Sequence, residues 1–188
     1  MKTILLLCAL TCAVPAAGAA LPTGDEALAE VFADTAQVSR RTDYLTEEQM
    51  AQAGRLAGPD VPIRSALVVS YIGRLKSGGV GRAYFDTHIV RALPATMMIV
   101  LDERGRVADV VVVAFHEPPE YLPPAGWLEQ FRDRKPGASV FLKGEIDAIS
   151  GATLTSRATM RAVRRILALD AVLPAEGYDS DQGKGQEG

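Results

Sequence analysis

Thr96-Met97-Met98-Ile99-Val100-Leu101, then Asp102-Glu103-Arg104-Gly105-Arg106, then the run Val107 to Phe115 is the stretch that decides the fold. Two apolar segments of strand length flank a short charged turn that contains a glycine, which is the pattern of a β-hairpin. Within the second segment, Val110-Val111-Val112-Val113 is unbroken. A strand with one wet face alternates, so this run predicts a strand buried on both faces.

The chain upstream supplies more strands and two helices. Ile63 to Ile72 is rich in branched residues and reads as a strand, Lys76 to Gly81 as a flexible turn, and Arg82 to Thr87 as the returning strand. Thr23-Gly24-Asp25-Glu26 forms a capping box ahead of Ala27, Leu28, Val31 and Phe32 at helical spacing. That helix is expected to end near Arg40-Arg41. A second box, Thr46-Glu47-Glu48-Gln49, has Leu45 and Met50 placed as a hydrophobic staple, and Gly58-Pro59 stops its helix.

Downstream, Glu117 to Pro124 holds four prolines, which lack a donor and restrict the residues before them. A stiff loop is expected there, with Glu117 bonding its local backbone. Trp127 to Arg134 reads as a short helix and Val140-Phe141-Leu142 as a short strand. Arg157 to Leu169 is helical, with Ala158, Ala162, Ile166 and Leu169 on one face and Arg157, Arg161, Arg164 and Arg165 on another. The pattern gives an α+β fold: an antiparallel sheet packed against N-terminal and C-terminal helices.

The ends differ from this body. Met1-Lys2, the apolar run Ile4 to Val14 and Ala17-Gly18-Ala19 read as a cleaved signal peptide over residues 1–19, which places the mature protein in the periplasm or another extracytoplasmic space. The run is short of the roughly 20 residues a bilayer span requires. Cys8 and Cys12 both fall in this leader, so the mature chain is expected to hold no disulfide and no cysteine metal site. Residues 175–188 are Gly, Gln, Asp and Glu without periodicity, and read as a disordered tail. The net charge of −3 and the presence of only two histidines argue against a nucleic-acid binder and against a dedicated transition-metal site. No G-x-G-x-x-G fingerprint stands at a strand–helix junction.

The chemistry concentrates in Asp147-Ala148-Ile149-Ser150-Gly151-Ala152-Thr153-Leu154-Thr155-Ser156. Small and hydroxylated residues around a glycine open a helix. Unpaired backbone N–H groups and the positive dipole end make such a place a seat for phosphate. The same residues also suit helix capping and a tight turn.

The order Asp147 to Thr153 resembles the flavinylation motif of the FMN-binding domain family, which includes the C subunit of the sodium-translocating NADH:quinone reductase and the G subunit of the Rnf complex. Tyr84-Phe85-Asp86-Thr87-His88, Phe115-His116-Glu117-Pro118 and Trp127 to Phe131 are similar to small exported members. The resemblance spans roughly Thr46 to Asp170 and gives residues 20–174 as one FMN-binding domain with an N-terminal helical extension. It implies covalent FMN, joined to Thr153 by a phosphoester that a separate flavin transferase makes from FAD with a divalent metal ion. Asp147, Ser150, Gly151, Ala152 and Thr155 then complete the cofactor-binding set, with Asp147 either a transferase recognition element or an ordinary turn residue, and Ser150, Gly151 and Ala152 small enough for the transferase to approach the backbone. Ser150 and Thr155 either cap the helix or bind the phosphate.

The expected function is that of an exported flavoprotein shuttling electrons between membrane or periplasmic redox partners, an electron-transfer component more than a complete enzyme. The other readings are an exported binding module with a vestigial motif and a self-contained flavin-dependent reductase. His88 and His116 read either as proton relays or as structural residues. Trp127, Tyr84 and Tyr121 read either as stacking partners of the flavin or as core. The arginine face reads either as a dock for an acidic partner or as solvated surface.

Overall fold

The hairpin forms where the pattern places it. In the computed structural model, which describes residues 20–137 and 146–174, β4 (Pro94–Leu101) pairs antiparallel with β5 (Val107–Phe115). Asp102 holds the turn: its Oδ1 accepts the N–H groups of Arg104 at 2.9 Å and Arg106 at 2.8 Å. Gly105 supplies the left-handed φ of 69° that a side chain resists.

Three further strands precede it: β1 (Ser39–Tyr44), β2 (Leu67–Arg74) and β3 (Val80–Ile89). The five strands lie in the order β1-β2-β3-β4-β5, every neighbouring pair antiparallel. Helices α1 (Gly24–Val31), α2 (Glu47–Ala57), α3 (Ala125–Leu128) and α4 (Thr153–Val172) complete an α+β fold. Both capping boxes form, with Thr23 accepting from Glu26 and Thr46 from Gln49.

Several expectations need correcting. The first helix stops at Val31 and does not reach Arg40-Arg41; a 3-10 turn at Thr35–Gln37, capped by Asp34, leads into β1 instead. This strand, Ser-Arg-Arg-Thr-Asp-Tyr, is polar and mostly exposed because it is a sheet edge, and it has no apolar face to announce it. The strand expected from Ile63 begins only at Leu67. The valine run lies on the other edge strand, not in a doubly buried one. Val110 and Val112 are 5% and 6% exposed, whereas Val111 and Val113 are half-buried. Their side of the sheet is covered in part by the short α1, through Ala27, Leu28 and Phe32. A partly covered face tolerates valine, so the alternation is hidden in the sequence.

The opposite face of the sheet carries the main core. Tyr84, Met97, Ile99, Leu101, Val110 and Val112 pack against α2, α3 and α4. In α4 the residues Ala158, Ala162, Ile166 and Leu169 all turn inward, as their spacing predicts. Ala53 and Ala57 of α2 are fully buried, and their small size lets α2 lie close to α4. The segment Trp127 to Arg134 is shorter in helix than expected: α3 gives way to a 3-10 turn at Glu129–Phe131. The leader (1–19), the strand expected at Val140 to Leu142 and the tail (175–188) lie outside the described residues.

Candidate functional site

The motif enters α4 through a turn that its neighbours hold on both sides. Asp147 is exposed, yet both its backbone groups are taken. Its N–H donates to Gln130 Oε1 at 3.0 Å, and its carbonyl accepts the Trp127 indole N–H at 2.6 Å. The turn closes with the Ala152 N–H donating to the Ile149 carbonyl at 3.0 Å. Gly151 has a φ of 77°, and no described residue lies within 4 Å of where its Cβ would stand. The glycine is therefore required by backbone conformation, and the space over it is open. Below the turn, Ser156 Oγ accepts the Ile149 N–H at 2.9 Å and donates to the Ala152 carbonyl at 3.2 Å.

Helix α4 starts at Thr153 itself, with Ala152 as N-cap. Alanine has no side-chain acceptor, so no side chain caps this end, neither Ser150 nor Thr155. Asp147, Ser150, Gly151 and Thr153 are exposed, while Ala152 is buried. Thr155 faces the core at 1% exposure, and its hydroxyl has no hydrogen-bond partner among the described residues. Of the hydroxyl-bearing motif residues, Ser150 and Thr153 are exposed, and Thr153 is the one at the first position of the uncapped helix.

From this mouth a groove of about 850 Å³ runs along α4, between the end of β3 and the loop that joins α2 to β2. Leu154, Arg157, Ile89 and His88 are among its lining residues. Thr153, Arg157 and Arg161 follow at i, i+4 spacing and therefore share one face of the helix. The arginines differ in their surroundings. Arg161 pairs with Asp60 Oδ2 at 3.2 Å, Arg164 with Asp60 Oδ1 at 2.9 Å, and Arg165 with Asp86 Oδ2 at 2.5 Å. Arg164 is buried, contrary to an exposed arginine face, and Gly58 makes room for it: a Cβ there would collide with its guanidinium. Arg157 is exposed and forms no ion pair with another described residue. Burial would raise the Asp60 carboxyl, but Arg161 and Arg164 outweigh that and hold it below its ordinary range.

Asp86 and His88 stand two apart on β3 and so face the same side. Asp86 Oδ1 lies 2.8 Å from His88 Nδ1. Burial would push Asp86 up, yet the bond to His88 and the charge of Arg165 together keep its carboxyl below the usual value. His88 Nε2 is buried and has no partner among the described residues.

The other residues considered from sequence are accounted for elsewhere. Trp127 is core, its ring edge-on to Phe131. Tyr84 is buried and its hydroxyl donates to Asp170 Oδ1 at 2.6 Å; burial, then the Asp170 charge, pushes its pKa well up. Tyr121 lies under the Arg91 guanidinium, and His116 is exposed. None of these four lines the groove. Glu117 does bond backbone, but not in the proline loop: its Oε1 accepts the N–H groups of Arg91, Ala92 and Leu93 at 3.0, 2.7 and 2.8 Å. Ser156, Gln130 and Asp60 had no assigned role in the sequence. Only the Asp86/His88 pair had a readable signal, its i, i+2 spacing in a strand.

A family model described as the FMN-binding domain matches residues 92–168. The matched run begins in the turn before β4, takes in the whole motif and ends inside α4. Residues 92–168 are thus similar to an FMN-binding domain, and FMN is the cofactor such a domain supports. No curated protein and no solved structure matches the chain.

Proposed function

We propose that this protein is an exported flavoprotein that holds FMN covalently, through a phosphoester on Thr153, and shuttles electrons between redox partners at or near a membrane. The observation that carries this reading is the position of Thr153. Thr153 is an exposed residue at the first position of α4, and no side-chain cap hydrogen bond occupies this helix start among the described residues. The free N–H groups of a helix start favour a phosphate placed there. Arg157, one turn on and unpaired among the described residues, adds a positive charge beside it.

The residues fit the rest of the cofactor as well. The groove volume of about 850 Å³ falls in the range that takes a ligand of this size, about 300–1,000 Å³. Its walls include the exposed Ile89 and Leu154. When bound, FMN supplies the reversible uptake of electrons, and the protein supplies its position and electrostatics. The open surface over Gly151 suits approach by a flavin transferase, which would make the bond from FAD. Export follows from the leader read at residues 1–19.

Thr153→Ala tests this reading. The side chain caps nothing and is exposed, so stability should change by less than about 0.5 kcal/mol. With transferase and FAD supplied, intact mass and in-gel flavin fluorescence should show the adduct on wild type and none on Thr153→Ala. A variant that still carries flavin after denaturation, or a wild type that never does, refutes the covalent assignment.

A further inference from the structure

His88 is the buried polar group of the groove that nothing yet explains. Its side chain is 9% exposed, and its Nδ1 is committed to Asp86. A carboxylate on Nδ1 accepts the Nδ1 proton and leaves a lone pair on Nε2. That Nε2 is shut off from water and has no partner among the described residues. A buried polar atom in this condition costs about 1–3 kcal/mol, and such atoms in native proteins mark a missing ligand or a functional task. The groups around it are already occupied with one another. Arg165, from α4, neutralises Asp86 on its other oxygen, and Asp60 takes Arg161 and Arg164. Arg157 and Arg64 complete the charged groups on the groove wall. Nothing among the described residues brings a hydrogen-bond donor to Nε2.

We propose that His88 is a positioning residue for the flavin, its Nε2 accepting a hydrogen bond from the imide N–H of an isoalloxazine ring seated in this groove. The imide is the ring's one N–H present in both the oxidised and the reduced cofactor. It therefore matches an acceptor that a carboxylate keeps in a single tautomer. A flavin phosphate held at the start of α4, joined to Thr153 or only bound there, would lie next to Leu154 and one turn from Arg157, both on the groove wall, and His88 lines the same groove from β3. The wall residues Ile89 and Leu154 are 59% and 47% exposed, so they are free to turn aside as the ring enters and to uncover Nε2. Asp86 and Arg165 act through His88, by fixing its tautomer and orientation. This inference rests on the FMN reading but not on the covalent bond.

The chain's two histidines make the test direct. Imidazole ¹⁵N spectra of the full-length protein are recorded before and after flavinylation, with His116→Gln used for assignment. The His88 Nε2 resonance should move while that of His116 stays in place. Intact mass reports the covalent bond independently. If no adduct forms, free FMN is titrated in, and the same His88 shift is expected on binding. In parallel, His88→Leu should shift the visible flavin band and the reduction potential at unchanged flavin content. His88→Gln, which keeps an acceptor, should restore both toward wild type. An Nε2 resonance that does not respond to bound flavin overturns the proposal, whether or not either variant folds. So does a His88→Leu protein with wild-type spectrum and potential.

Discussion

Trp127→Phe removes one hydrogen bond from the motif and leaves an aromatic ring in the core. The indole N–H donates to the Asp147 carbonyl at 2.6 Å, and the ring meets Phe131 edge-on, with centroids 5.2 Å apart. The net contribution of such a bond is about 1 kcal/mol. Asp147 is exposed, so its freed carbonyl can turn to water and escapes the penalty of an orphaned buried group. The smaller ring, at a site 9% exposed, costs about another 1 kcal/mol in lost packing. The total, about 2 kcal/mol, is well inside the 5–15 kcal/mol of a folded domain, so the variant folds. Its melting temperature should fall by about 4–8 °C.

Flavinylation should respond separately. Trp127 and Gln130 together hold both backbone groups of Asp147, so they fix how the chain enters the turn before Thr153. With transferase and FAD, adduct formation on Trp127→Phe should be slower than on wild type but reach the same end point, because Thr153 is intact. Gln130→Ala should slow it too. The two effects should not add, since they act on one residue. A Trp127→Phe protein that melts with wild type would show that the bond contributes no stability. An unchanged time course would show that this clasp does not shape the motif for its transferase.

Thr155→Val should keep the flavin and match or exceed wild type in urea denaturation, by up to about 1 kcal/mol, because it deletes a buried hydroxyl with no partner; a clear loss of stability would mean that the hydroxyl is bonded. Glu117 should give a pH signature. The backbone N–H groups of Ala92, Leu93 and Arg91 hold its carboxyl below the ordinary 4.5, so its contribution is fully present above the unfolded value and is lost as pH falls through the lowered folded one. The gap in melting temperature between wild type and Glu117→Gln should thus be wide at neutral pH and shrink in acid; a gap independent of pH would refute the charge-assisted reading.

What the sequence discloses here depends on how far apart the interacting groups lie along the chain. The hairpin, both capping boxes and the motif are contiguous, and each is legible because its own residues carry the geometry: Asp102 and Gly105 in the turn, Thr23 with Glu26, Gly151 before Thr153. Strand β1 is not legible, because an edge made of Arg, Asp and Thr has the composition of a loop and becomes a strand only by pairing with β2. The arginines of α4 illustrate the same limit. Their spacing gives the shared sector, but not that Arg164 turns inward to Asp60 or that Arg165 neutralises Asp86, residues far away in sequence. His88 could be read either as a relay or as a structural residue because its tautomer is set by Asp86, two residues away, and its demand for a partner by burial under the groove wall. The proposed attachment point is thus a local property of the chain, whereas the proposed surroundings of a bound ring are assembled from β3, α4 and the loop between α2 and β2. Substitutions within residues 147–153 should therefore decide whether flavin is joined. Substitutions at His88 or Arg165 should change how a joined flavin behaves.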